Sequence, residues 1–184
     1  MELIVTIAII EVGLFSVWSL FLVNFNAEKE AELRIVGVNL AREGAEVVRN
    51  IRDANWLKRG LNEKFEAKIW TWDHGLESGV YSLNFDSQTL ESEEFKRIYL
   101  DSNGFFSNIV TDNSTFFQRL IILKDICCND LDSDFKCDDI DYAVTESSAS
   151  CPLKIGVNIV SRVFWKISGQ DRSAVIEYNL YDWQ

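Results

Sequence analysis

The sequence predicts an α+β fold in which one long N-terminal α-helix, apolar in its first half and amphipathic in its second, packs on an antiparallel β-sheet head. Three observations predict it. An almost uncharged run fills residues 3–23, no proline stands between Met1 and Trp56, and from Lys58 onward the hydrophobic period shortens from helical spacing to short β-branched and aromatic runs. At 184 residues and 47% hydrophobic content, the chain can bury one ordinary core and carry one special segment.

The first element is LIVTIAIIEVGLFSVWSLFLV, Leu3 to Val23, interrupted only by Thr6, Glu11, Gly13, Ser16 and Ser19. It has the roughly 20 residues that a helix needs to cross a bilayer. No Lys or Arg precedes it and its apolar stretch is long, unlike the basic start and short apolar core of a secretory signal peptide. Residues 1–25 are therefore read as a membrane or bundle-core helix and residues 26–184 as the head. Glu2 stands at the beginning of the run, where an interface accommodates it. Glu11 stands in its middle, where insertion scales charge a carboxylate roughly 2.5–3.5 kcal/mol. It needs a compensating partner, protonation or a helix-bundle environment.

Beyond the apolar run, Leu33, Val36, Leu40, Val47 and Ile51 recur mostly at helical spacing with charges on the other face. The same helix is predicted to continue to about residue 56, some ~75 Å at roughly 1.5 Å per residue. Strands are then expected at Ile69–Trp72, Val80–Phe85, Arg97–Leu100, Phe116–Lys124, Asn158–Ile167 and Ala174–Tyr181. The last two read as a terminal hairpin across Gly169-Gln170-Asp171, with further turns at Asp73-His74-Gly75 and Asp101-Ser102-Asn103-Gly104.

The four cysteines, Cys127, Cys128, Cys137 and Cys151, fall in one C-terminal stretch, as in a disulfide-stapled loop of an oxidising compartment. A bridge between the adjacent Cys127 and Cys128 is strained, so each is expected to reach Cys137 or Cys151, with the pairing open. Zinc suits these cysteines poorly, because they lack a C-x2-C pair and His74, the single histidine, is far away. Within the same stretch, Asp130, Asp132, Asp134, Asp138 and Asp141 occupy positions 1, 3, 5, 9 and 12 of a calcium-type loop. Phe135 replaces the glycine of position six, so calcium is weighed against an ordinary solvated acidic loop.

The net charge of −11 disfavours a nucleic-acid partner, which needs clustered Lys and Arg. Catalysis also finds little support: no G-x-S-x-G, P-loop or H-E-x-x-H motif occurs, and His74 lies in an aromatic turn without an evident nucleophile. Trp56, Trp70 and Trp72 suit packing of the helix onto the sheet better than a carbohydrate platform. Asn113-Ser114-Thr115 is a glycosylation sequon on an expected turn.

The segment T-I-A-I-I-E-V, Thr6 to Val12, running into GLFSVWSLFLV, resembles the N-terminal helix of type IV pilins and pseudopilins, whose mature chains typically begin F-T-L-I-E. The later NLAREGAEVVRNIRDANWL resembles the amphipathic half of the same helix in pilin-like proteins. Glu11 matches the family's glutamate, with Glu2 the weaker candidate. The resemblance implies a pilin fold and assembly of many copies, with other pilins, into an extracellular filament from a pool in the inner membrane. In it, Glu11 would pair with the N-terminal amine of a neighbouring subunit; no cofactor is required, calcium being suggested only by the acidic run. Within the family a secretion pseudopilin is the alternative, and outside it a single-pass anchored adhesion domain that never polymerises. Two departures stand out. Aligning Glu11 as the fifth mature residue would put leader cleavage, and methylation of the new terminus, between Thr6 and Ile7, without the usual glycine or upstream basic residues. The helix-breaking proline of many members is also missing, leaving Gly13 as the weak point.

Overall fold

In the computed structural model, residues 2–62, 71–92, 96–128, 142–145, 151 and 153–182 are described. Helix α1 spans Glu2–Asn62, 61 residues unbroken through Gly13, with Glu2 placed favourably in the first turn. It ends six residues beyond the predicted Trp56. Good helix formers, Leu57 and Lys58, carry it on after the amphipathic stripe stops.

The chain divides into two compact units, one reaching Val36 and the other running from Gly37 to the C-terminus. The first is helix alone, and every residue from Glu2 to Lys29 is exposed. In the second, α1 buries one stripe, Leu40, Ala41, Ala45, Val47, Val48 and Ile51, at the three- and four-residue spacing that puts side chains on one face. This stripe shares a core with Leu76, Leu83, Ile121, Leu123, Val157, Ile159 and Leu180. Helix and sheet approach closely where the helix carries glycine: a Cβ on Gly37 would stand 2.6 Å from the Trp165 ring, and one on Gly44 2.8 Å from Ile121 and Ser161.

Among the described residues the sheet has eight antiparallel strands. They are β1 (Gly79–Ser82), β2 (Glu91–Ser92), β3 (Lys96–Leu100), β4 (Phe106–Ser107), β5 (Ser114–Cys128), β6 (Tyr142–Thr145), β7 (Leu153–Ile167) and β8 (Gln170–Tyr181). The 15-residue β5 is the spine. One edge pairs with β7, which pairs in turn with β8; the other edge receives β3, β1 and β6 in succession. Alternation along β5 turns Phe117, Arg119, Ile121, Leu123 and Asp125 toward the helix side.

Several expectations change. β1 ends at Ser82, short of the predicted Phe85, and Ser114 and Thr115 of the sequon open β5 instead of lying in a turn. Thr71 is outside regular structure and Trp72 begins a turn, so the predicted Ile69–Trp72 strand is absent at these two positions; Ile69 and Trp70 lie outside the described residues. The hairpin closes on Ser168-Gly169 rather than Gly169-Gln170-Asp171, since Ile167 pairs with Gln170 and Lys166 with Asp171. Ser168 and Gly169 have φ of 49° and 78°, the two left-handed residues of a tight turn whose twist matches that of the strands. At Asp101, the carboxylate Oδ1 accepts from the Asn103 and Phe105 amides, and Gly104 takes the positive φ that closes the predicted turn.

Candidate functional site

Glu11 and the apolar helix around it form the first candidate. Leu3 to Val23 is long and apolar enough to be membrane-inserted or to be a signal sequence. Two of its hydroxyls are satisfied within the helix: Thr6 Oγ1 donates to the Glu2 carbonyl at 2.7 Å and Ser16 Oγ to that of Val12 at 2.8 Å. These polar atoms therefore present little cost in an apolar medium. Trp18, Phe21 and Phe25 stack along one face, with centroids 6.1 and 6.4 Å apart, and Lys29 Nζ lies 4.5 Å over the Phe25 ring where the charged half begins. Helical spacing puts Ile7, Ala8, Leu14 and Phe15 next to Glu11 on its own face. Phe15 is 76% exposed and Glu11 is exposed too, with no ion pair to another described residue. The helix thus presents an exposed carboxylate within an exposed apolar surface.

The head is fixed by buried charge. Arg119 Nη1 donates to the Leu40 carbonyl at 3.1 Å and to Glu43 Oε1 at 2.8 Å, while Nη2 donates to the Leu83 carbonyl at 2.9 Å. Near the other end of the core, Asn55 Nδ2 donates to the carbonyls of Trp72 and His74. Lys154 Nζ lies 2.9 Å from Asp125 Oδ1 and 3.3 Å from Asp73 Oδ2. None of these was singled out from the sequence. A signal existed for Arg119 and Asp125, because strict alternation puts both on the inward face of β5.

Cys127 bonds Cys151, Cα atoms 5.3 Å apart. Cys128 is also disulfide-bonded, and neither is free. Neighbours on a strand point to opposite faces, so the adjacent pair reaches to separate partners, as expected. Cys137, and Asp130, Asp132, Asp134, Asp138 and Asp141 of the calcium-type run, lie outside the described residues. Among the described residues no group of three or more His, Cys, Asp or Glu is placed to hold a metal ion. Trp72 is buried and Trp56 packs against the core, so both serve packing; Trp70 lies outside the described residues. His74 is exposed in its turn. A cavity of about 620 Å³ on the sheet is lined by Arg97, Ser114, Thr115, Phe116, Gln118, Phe164, Trp165, Lys166 and Asp171.

Comparison of this chain with protein-family models, with curated proteins and with solved structures gives no match.

Proposed function

We propose that the chain is a structural subunit of a type IV pilus-like extracellular filament, assembled through its N-terminal helix, with no catalytic role. The observation that carries the reading is Glu11: an exposed mid-helix carboxylate, unpaired among the described residues, within an exposed apolar surface. A lone lipid-facing helix disfavours such a group, whereas a packed helical core accommodates it when a neighbour supplies positive charge. A subunit amine set against Glu11 would satisfy that need, and the flanking Ile7, Leu14, Phe15 and Trp18 would bury one another between copies. Before assembly the helix holds the subunit in the inner membrane. The disulfide-stapled, acidic head suits an oxidising, aqueous exterior.

Electron microscopy of filaments sheared from cells expressing the full-length gene tests this directly. Helical filaments built from this chain are expected, and Glu11→Ala should abolish them or reduce them at least about tenfold, the loss of a few kcal/mol of pairing. Smooth cells with the wild-type protein confined to the membrane fraction would reject the filament in favour of an anchored surface domain.

A further inference from the structure

The filament reading makes no use of the charged cluster beneath the 72–76 turn. There Lys154 Nζ, from β7, is 2.9 Å from Asp125 Oδ1, from β5, and 3.3 Å from Asp73 Oδ2. It also donates to the Leu76 carbonyl at 2.7 Å. Asp125 is 1% exposed and Leu76 fully buried, and the buried Trp72 ring stands with its centroid 5.9 Å from Nζ. The two strands pair on both sides of a bulge, Asp125 opposite Val157 before it and Cys127 opposite Lys154 after it, and the shift in register at Ile126/Cys127 brings amine and carboxyl onto the same part of the sheet.

An amine and a carboxyl fixed in contact in a largely dry site react as if at very high concentration, because the entropy of bringing them together is already spent in folding. Burial of the Asp125 carboxyl, 1% exposed beside an amine side chain that is 18% exposed, also favours condensation over hydrolysis there. The remaining requirement is proton transfer in both directions, and the Asp73 carboxylate, within reach of Nζ, meets it. We propose that Lys154 and Asp125 condense spontaneously after folding to an intramolecular side-chain amide, with Asp73 as the proton carrier.

The step balances without an oxidant or a co-reactant. Asp73 carries one proton from the Lys154 ammonium to the Asp125 carboxylate. The freed Nζ lone pair adds to Asp125 Cγ, forming the N–C bond and a tetrahedral centre. Asp73 then carries a second proton from that nitrogen to the departing hydroxyl; the C–O bond breaks, water leaves and the carbonyl re-forms. One ammonium and one carboxylate become one amide and one water, and Asp73 ends as it began. The product closes a ring of chain around the Cys127–Cys151 ring, adding a β5–β7 link to the disulfide that joins β5 to Cys151. This inference does not depend on polymerisation.

Intact-mass measurement on the full-length protein in detergent is the test. The wild type should weigh one water less than its sequence with its disulfides formed, and tandem mass spectrometry should place the link between residues 125 and 154. Lys154→Arg and Asp125→Ala should restore the full mass, Asp125→Asn should lose ammonia in place of water, and Asp73→Asn should leave most molecules unlinked. A wild-type mass with no deficit, or a water loss that maps to any other pair of residues, overturns the proposal. That reading needs no variant to fold.

Discussion

Arg119 is where a single side chain does most to fix the head. Its guanidinium is 2% exposed, yet it joins two backbone carbonyls on separate elements and the Glu43 carboxylate. Truncation would strand these acceptors and leave Glu43 without its partner. Arg119→Ala should therefore destabilise the head by about 2–4 kcal/mol, chiefly from the buried Leu40 and Leu83 carbonyls left without a donor, since Glu43 is itself a third exposed; urea unfolding of the detergent-solubilised chain measures it. Tyr81 carries a different signature. Burial first, and then the negative charge of Glu77, raise its phenol above the ordinary 10.0. The folded state thus holds this proton more tightly than the unfolded chain does. That contribution is complete below pH 10.0 and is lost as pH climbs through the folded value. Thermal melts should show an alkaline decline that Tyr81→Phe flattens, with a neutral-pH cost of about 1 kcal/mol for the phenol's bond to the Glu77 carbonyl.

At the scale of elements, β5 carries the head because it is long enough to serve both of its edges. β7 pairs along most of its length on one side, while three short strands share the other. Its C-terminal end is where the chain leaves the sheet, and there Cys127 is joined to Cys151 across 24 residues of separation. A cross-link over a loop of this length restricts the unfolded chain by about 3 kcal/mol. Cys127→Ser should lower the stability by about that amount, and chemical denaturation with and without reductant checks it. The effect should be concentrated at the β5–β6–β7 end, so hydrogen exchange of the Asp125–Cys128 amides should accelerate more than that of Ile159–Val163.

The whole molecule joins two solutions to the problem of apolar surface. The unit from Gly37 onward buries its stripe on its own sheet, whereas the helix before Val36 leaves its apolar side chains exposed. Under the proposed filament reading the second is covered by lipid before assembly and by other copies after it, and Glu11 distinguishes the two environments. Glu11→Leu should strengthen retention in the membrane fraction, because a mid-span carboxylate is removed, while filaments are lost. Carbonate extraction and microscopy on the same cells read both effects. Equal loss of both would assign Glu11 to folding of the helix instead of assembly.

What the sequence determined by itself was whatever depends on periodicity and composition. The long helix, its change from apolar to amphipathic, the alternating strands of the last hairpin and the stapling of the cysteines all follow from rules acting over a few residues. The boundaries were less legible. α1 runs on past Trp56 because helix ends depend on the last turn's contacts, and the hairpin turns at Ser168-Gly169 because the register between β7 and β8 selects the two residues left to close it. Trp72 has the residue type of a strand, but the carbonyls it and His74 offer to Asn55 hold it in a turn. Glu11 was visible as a charge out of place in an apolar run. The meeting of Lys154, Asp125 and Asp73 was not, since the three are spread over residues 73–154 and only the pairing of β5 with β7, capped by the 72–76 turn, brings them together. Local pattern reads single elements; proximity between charges far apart in the chain is a property of register and packing, which only the folded sheet decides.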